Sequence, residues 1–141
     1  MSIQIVIDTN VIISALRSKR GASHKLLSLI DSPKFEINIS VPLILEYEDV
    51  AKRQSRQLGL THSDIDDILD YICLCANHWR IFFLWRPYLK DPRDDMVLEL
   101  AVESQSKYII TYNRRDFEGL EKFGIATKSP KELLQEIGEI K

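Results

Sequence analysis

The stretch Ile3-Gln4-Ile5-Val6-Ile7-Asp8-Thr9-Asn10-Val11-Ile12-Ile13-Ser14-Ala15-Leu16 decides the fold. It begins as a β-branched run, pauses at Asp8-Thr9-Asn10, and resumes with apolar side chains at helical spacing. Strand, turn and helix therefore follow one another directly. Asp8 stands at the carboxyl end of the first strand, and Thr9 or Asn10 is suited to cap the helix.

Outward from that stretch the alternation continues. Gly21 interrupts the pattern, and residues 22–30 carry Leu26, Leu27 and Ile30 along one helical face until Ser32-Pro33 ends it. Phe35-Glu36-Ile37-Asn38-Ile39 alternates as a strand does, and Val41-Pro42 opens a helix through Leu45, Tyr47, Val50 and Ala51. That helix is expected to reach Arg56 and to close at Leu58-Gly59-Leu60, with Glu46 in its first turns. Thr61-His62-Ser63-Asp64 starts another helix, whose core stripe is Ile65, Ile68, Leu69, Ile72 and Cys73.

Residues 79–84 are an apolar strand candidate, and residues 85–93, with Pro87 and Pro92, read as a loop. Asp94 or Asp95 then caps a helix carrying Val97, Leu98, Ala101 and Val102. Tyr108-Ile109-Ile110-Thr111 is the next strand, residues 113–116 its turn, and Gly124-Ile125-Ala126-Thr127 a short last strand. Ser129-Pro130 starts a closing helix through Leu133, Leu134 and Ile137. The pattern predicts an α/β fold: a three-layer α/β/α sandwich around a central parallel sheet of about four or five strands. Such sheets bind ligands outside the carboxyl ends of their strands.

Composition bounds the rest. With 141 residues, 45% hydrophobic and 28% charged, one domain over residues 1–141 is expected, without linker or repeat. No apolar run of about 18 residues occurs, and Met1-Ser2-Ile3-Gln4 lacks the basic start of a signal peptide, so a cytoplasmic protein without a membrane partner is expected. Cys73 and Cys75 stand too close for an unstrained bridge in a helix and are too few for a zinc site, which predicts buried free thiols. The formal charge of −2 weighs against nucleic acid as a partner.

The acids modify that objection. Asp8, Asp95 and Asp116 each fall where a strand ends or the next helix begins, and Glu46 lies one turn into its helix at the same edge. Crowded carboxylates repel one another and raise their own pKa values, so a cluster of four persists mainly with cations to hold it. Hard oxygen donors select Mg²⁺ or Mn²⁺, as one or two ions. Magnesium with open coordination positions suits phosphodiester hydrolysis, because it acidifies a bound water and steadies the leaving oxygen. Setting four of the 21 acids aside leaves the 19 basic residues in slight excess.

Arg17, Lys19 and Arg20 follow the first helix, Arg86, Lys90 and Arg93 surround the prolines, and Arg114 and Arg115 adjoin Asp116. They are candidates for tracking a phosphate backbone, with Trp85 and Tyr88 as platforms for stacking on nucleobases; solvated loop charges and core packing are the plain alternatives. Taken one at a time, the acids read equally well as helix caps, a helix-surface charge and a turn former. Their common edge, with Thr9, Asn10, Thr111 and Asn113 beside them, is what makes a site of them. His24, His62 and His78 have no metal-ligand spacing and read as surface or capping groups.

Val6-Ile7-Asp8-Thr9-Asn10, Glu46 after Val41-Pro42, Asp94-Asp95-Met96-Val97-Leu98-Glu99-Leu100-Ala101 and Ile110-Thr111-Tyr112-Asn113-Arg114-Arg115-Asp116-Phe117 together resemble the PIN-domain family. The resemblance covers nearly the whole chain, to Ser129-Pro130-Lys131-Glu132-Leu133-Leu134. It implies an α/β/α metal-dependent ribonuclease, of the kind that serves bacteria as the toxin of type II toxin-antitoxin pairs. By resemblance Asp8, Glu46, Asp95 and Asp116 are the metal-binding and catalytic acids. Asp95 matches the family spacing to Thr111 and Asn113 better than Asp94, which then becomes a cap or an outer support. Thr9, Asn10, Asp94, Thr111 and Asn113 are the expected orienting neighbours.

The expected activity is endonucleolytic RNA cleavage by metal-activated water. Expected partners are the RNA, a cognate antitoxin and a second copy of the chain. The helices of residues 42–77 offer the protein contact, or else pack on each other as an ordinary hairpin. Two other classes stay open at this point. A magnesium phosphatase would use Asp8 as nucleophile but wants a second acid where Asn10 stands, and a non-catalytic RNA-binding module would keep the fold alone.

Overall fold

The computed structural model describes residues 2–81, 89 and 91–141, with only the backbone of Pro92. The chain alternates as expected: β1 (Ile3–Ile7), α1 (Thr9–Arg17), α2 (Ala22–Ser28), β2 (Phe35–Ile39), α3 (Val41–Arg53), α4 (Ser55–Leu58), α5 (His62–Cys75) and β3 (Asn77–His78). It continues with α6 (Pro92–Glu103), β4 (Tyr108–Ile110), two 3₁₀ turns (Arg114–Phe117 and Leu120–Phe123), β5 (Ala126–Lys128) and α7 (Pro130–Glu136).

Among the described residues the five strands form one sheet in the order β3-β2-β1-β4-β5, with every neighbouring pair parallel. Right-handed crossovers place the helices after β1 and β2 over one face and α6 over the other. The packing agrees. α1 lies against α2 and α3, α3 against α5, and α7 returns to α2, whereas α6 covers β1, β2 and β4. This is the three-layer α/β/α sandwich that the sequence predicts. Its core is central: Ile5, Val6, Ile7, Ile109 and Ile110 are buried, and each contributes about 1.5–3 kcal/mol relative to exposure.

Local chemistry sets the helix ends. The Thr61 hydroxyl accepts from the Asp64 amide at 3.0 Å while the Asp64 carboxylate accepts from the Thr61 amide at 2.9 Å, and Ser129 and Glu132 repeat this box at the start of α7. Gly59, at φ 69, takes the left-handed conformation that ends α4.

Several expected boundaries move. The helix after β2 stops at Arg53, because Gln54 leaves helical geometry at φ −104 and ψ 15 before α4. α1 is capped by Asp8 itself, not by Thr9 or Asn10. α6 is capped by Asp91 with a proline in the first turn, so Asp94 and Asp95 lie inside the helix, and neither caps it. The last strand begins at Ala126, since Gly124 still closes the 3₁₀ turn at φ 73.

Of the strand expected over 79–84, the described residues 79–81 are not strand, and the sheet is instead joined just upstream by the polar pair Asn77 and His78. Residues 82–84 lie outside the described residues. Here the sheet carries a polar row that hydropathy does not reveal: the Asn77 amide donates to Gln4 Oε1 at 3.3 Å and to Glu36 Oε1 at 3.4 Å. The Trp79 indole then donates to the Asn38 side-chain Oδ1 at 2.7 Å, while its backbone amide donates to the Ile39 carbonyl of β2 at 2.9 Å.

Candidate functional site

The sheet order reverses between β1 and β4, where the chain leaves β1 for β2 on one side and later arrives at β4 on the other. A crevice opens at the carboxyl ends of such a pair. Asp8 and Thr111, the residues directly after these two strands, meet there.

Asp8 is held on every side. Its amide donates to the Ile110 carbonyl at 2.9 Å, Oδ1 accepts from the Thr9 amide at 2.9 Å, and Oδ2 accepts from the Thr111 hydroxyl at 2.8 Å. Thr111 Oγ1 in turn accepts from the Asn113 amide at 3.0 Å and the Asn10 side-chain amide at 3.4 Å. The hydroxyl proton is thereby directed at Asp8. Burial raises the Asp8 carboxyl above its ordinary pKa, the Thr111 and Thr9 hydrogen bonds work against that, and the charges of Asp116 and Glu46 add to it.

Those two acids share a pocket of about 340 Å³ with Asp8, Asp94, Thr9, Asn10 and Asn113. Glu46 comes from the second turn of α3, and Asp116 from the 3₁₀ turn after β4, whose amide donates to the Asn113 carbonyl at 3.1 Å. Asp94, in the first turn of α6, has its carboxyl pushed up to about 7: desolvation is the main cause, followed by the charges of Asp8, Asp116 and Asp91, with Arg93 opposing. Besides the capping Asp91, four carboxylates therefore line one crevice, and neighbouring acidic charges act on Asp8 and Asp94.

The third of the four is not the expected one. Asp95 is fully buried behind the pocket wall, where Oδ1 accepts from the Leu89 amide at 2.7 Å. Successive helical residues point about 100° apart, so one helix cannot aim both acids into the same crevice. With Asp91 as cap, the register of α6 gives the crevice to Asp94. Asp95 thus holds the Leu89 backbone, and Asp94 is no cap.

The basic candidates divide. Arg17 and Arg93 line the pocket. Arg93 is tied to Asp91, its amide at 2.9 Å and Nη2 at 3.1 Å from the two carboxylate oxygens, whereas Arg17 Nη2 donates to the neutral Gln54 Oε1 at 3.0 Å. Arg114 is paired with Glu132, and Arg20 and Arg115 are exposed outside the pocket wall. Trp85, Tyr88, Arg86 and Lys90 lie outside the described residues. Sequence reasoning missed Asp91, Ile13, Val50 and Gln54, which complete the pocket. The signal was present in spacing: Ile13 follows Thr9, and Val50 and Gln54 follow Glu46, at intervals of one helical turn.

His24 and His78 contact backbone carbonyls of Ala15 and Cys73, and Cys73 and Cys75 are free and half-buried. Among the described residues no three carboxylates, thiols or imidazoles close into a preformed metal cage. The donor set still has the chemistry for a hard cation, being all carboxylate, with mutual repulsion that a cation relieves. No described helix is long and apolar enough to cross a membrane.

A family model described as the PIN domain matches residues 4–115. No curated protein matches the chain. Among solved structures, the crystal structure of VapBC2 from Rickettsia felis bound to a DNA fragment from their promoter aligns at a TM-score of 0.63, with 11% identity over 90% of this chain and 100% of that one. At that identity the likeness is one of fold.

Proposed function

This chain belongs to the PIN-domain family, and from that membership we propose that it is a metal-dependent endoribonuclease, with Asp8, Glu46, Asp94 and Asp116 holding Mg²⁺ or Mn²⁺. The observation that carries the reading is the convergence of Asp8, Glu46, Asp94 and Asp116 on one pocket, where burial and neighbouring charges push the Asp94 carboxyl up to about 7. A protein has little reason to pay that electrostatic cost unless a cation is to be bound.

The ion, when held there, supplies Lewis acidity toward a phosphodiester and its attacking water. The protein's own part is orientation. Thr111 fixes the Asp8 carboxylate, Asn10 and Asn113 fix Thr111, and the Asp91 cap sets the register that presents Asp94. Arg17 and Arg93 are the pocket's cations for phosphate.

The toxin role rests on the family and on the likeness to a VapBC complex. A protein partner has a surface to use: Val41 and Leu45, 71% and 55% exposed, line an apolar groove of about 760 Å³ that also contains Trp79. An antitoxin or a second copy of the chain would cover it.

The test is incubation of the purified chain with single-stranded RNA in Mg²⁺, in Mn²⁺ and in chelator, alongside Asp8→Asn. Cleavage is expected with either metal and lost with chelator or the variant. Undiminished cutting in chelator would overturn the mechanism.

A further inference from the structure

The acidic crevice is one end of a longer groove. Thr9, Ile13 and Arg17 follow one another by single turns along α1, while Glu46, Val50 and Gln54 do so along α3 and its cap, and all six line the cavity. The two rows run in step. Glu46 acts on Asp8 at one end, and Arg17 Nη2 donates to Gln54 Oε1 at 3.0 Å at the other. The groove therefore has three rungs: an acidic one, an apolar one of Ile13 and Val50, and a cationic one of Arg17 and Gln54. Four residues of helix rise about 6 Å, so the last rung lies about 12 Å beyond the first.

The three rungs differ in what they can bind. The first suits a cation and the phosphate it holds. The second offers no hydrogen-bonding side chain: Ile13 is buried as its floor and Val50 half-buried beside it. At the third, Arg17 is exposed, and among the described residues no carboxylate is within ion-pairing distance of it, although Arg53, Arg93 and Arg114 each have one. A guanidinium steadied by a neutral amide keeps its charge and its other N–H donors for an anion.

We propose that the α1–α3 groove seats the nucleotide flanking the scissile bond, with its ribose and base edge against Ile13 and Val50 and its outer phosphate on Arg17. Gln54 is the positioning residue, holding the guanidinium across the end of the groove. The volume of about 340 Å³ is in the range of a small-molecule site. Contacts of this kind fix register along the strand and carry little base information, so the subsite is tolerant of sequence. This inference rests on the ribonuclease reading for the identity of the strand.

The experiment separates the two. Binding of a labelled single-stranded oligoribonucleotide is measured in chelator between about 50 and 200 mM salt, for the wild type, Arg17→Ala, Arg17→Lys, Gln54→Ala and Lys34→Ala. Lys34 pairs with Glu139 ahead of β2, at the other end of the sheet, and serves as control. Arg17→Ala is expected to weaken binding about tenfold and to lower the salt slope by about 0.7, the value of one phosphate contact on a single strand. Arg17→Lys should keep the slope, Gln54→Ala should fall between, and Lys34→Ala should match the wild type. In cleavage assays Arg17→Ala should raise KM about tenfold with kcat within about twofold.

Wild-type affinity and slope in Arg17→Ala, an equal loss in Lys34→Ala, or no binding by the wild type would each overturn the subsite. A wild type that binds through Arg17 but cuts nothing in Mg²⁺ or Mn²⁺ would leave the groove standing and overturn the ribonuclease reading.

Discussion

The Thr111 hydroxyl donates to Asp8 Oδ2 at 2.8 Å, joining the ends of the two strands between which the sheet reverses its order. This bond favours the ionised carboxylate against burial, which pushes the other way. Thr111→Val removes the donor and keeps the shape. The variant is expected to lose about 1.5–3 kcal/mol of interaction with the charged group. Its cleavage rate should fall about 10–100-fold, as losses of groups that orient metal ligands do. The apparent pKa of activity should move up, and Thr111→Ser should recover most of the rate. A pH–rate profile of the three proteins checks this, and a Thr111→Val profile superimposing on the wild type would refute it.

Asp94 and Asp95 are adjacent in sequence and opposed in role. Asp94→Asn is expected to abolish cleavage and to weaken Mn²⁺ binding in a calorimetric titration. Asp95→Asn keeps an acceptor for the Leu89 amide and should leave Mn²⁺ affinity unchanged and cleavage within about tenfold of wild type. Asp95→Ala strands that amide and should cost about 1–3 kcal/mol in a denaturation melt. An Asp95→Asn protein that loses as much Mn²⁺ affinity as Asp94→Asn would reverse the assignment.

That pair also marks where the sequence stops being legible. β1 and its terminal acid are readable because Ile5, Val6 and Ile7 form a buried central strand, and such strands are continuous apolar runs. α5 and α7 are readable because Thr61 and Ser129 announce their capping boxes. α6 shows no such face: Asp95, Val97, Leu98, Glu99, Leu100 and Ala101 are all buried, so periodicity cannot tell which acid looks into the crevice. Only the cap at Asp91 decides it. β3 is hidden for a different reason, being two residues long and joined to Gln4 and Glu36 through polar side chains.

The raised Asp94 carboxyl gives the metal-free protein a defined response to pH. Its folded value of about 7 exceeds the ordinary 3.8, so between those values the folded chain binds more protons than the unfolded one, and stability falls as pH rises. The penalty is complete above about pH 7, and a bound cation, which favours the ionised form, offsets it. In chelator, Tm should drop between about pH 5 and about pH 8. Asp94→Asn should flatten that drop and melt higher than wild type at about pH 8, while losing activity. Mg²⁺ should raise the wild-type Tm more at the higher pH. An Asp94→Asn protein with the full wild-type pH slope would contradict the account.

Tyr47 pins the site from beneath. Its hydroxyl donates to the Ile7 carbonyl, one residue before Asp8, and the ring is buried in α3 one position after Glu46. One side chain thus ties the strand bearing the first acid to the helix bearing the second. Tyr47→Phe keeps the packing but removes a partner from a buried carbonyl, at a cost of about 1–3 kcal/mol, which a thermal melt resolves. Burial, reinforced by the Asp8 charge, holds the phenol well above its ordinary pKa, so it stays a donor in alkaline solution. Of the five tyrosines, Tyr47 should therefore be silent in a spectrophotometric titration of the native protein. Tyr47→Phe should leave the amplitude of that titration unchanged while lowering Tm. If the amplitude fell by one tyrosine, the phenol would be titrating in the folded state and could not be the fixed donor that joins α3 to the end of β1.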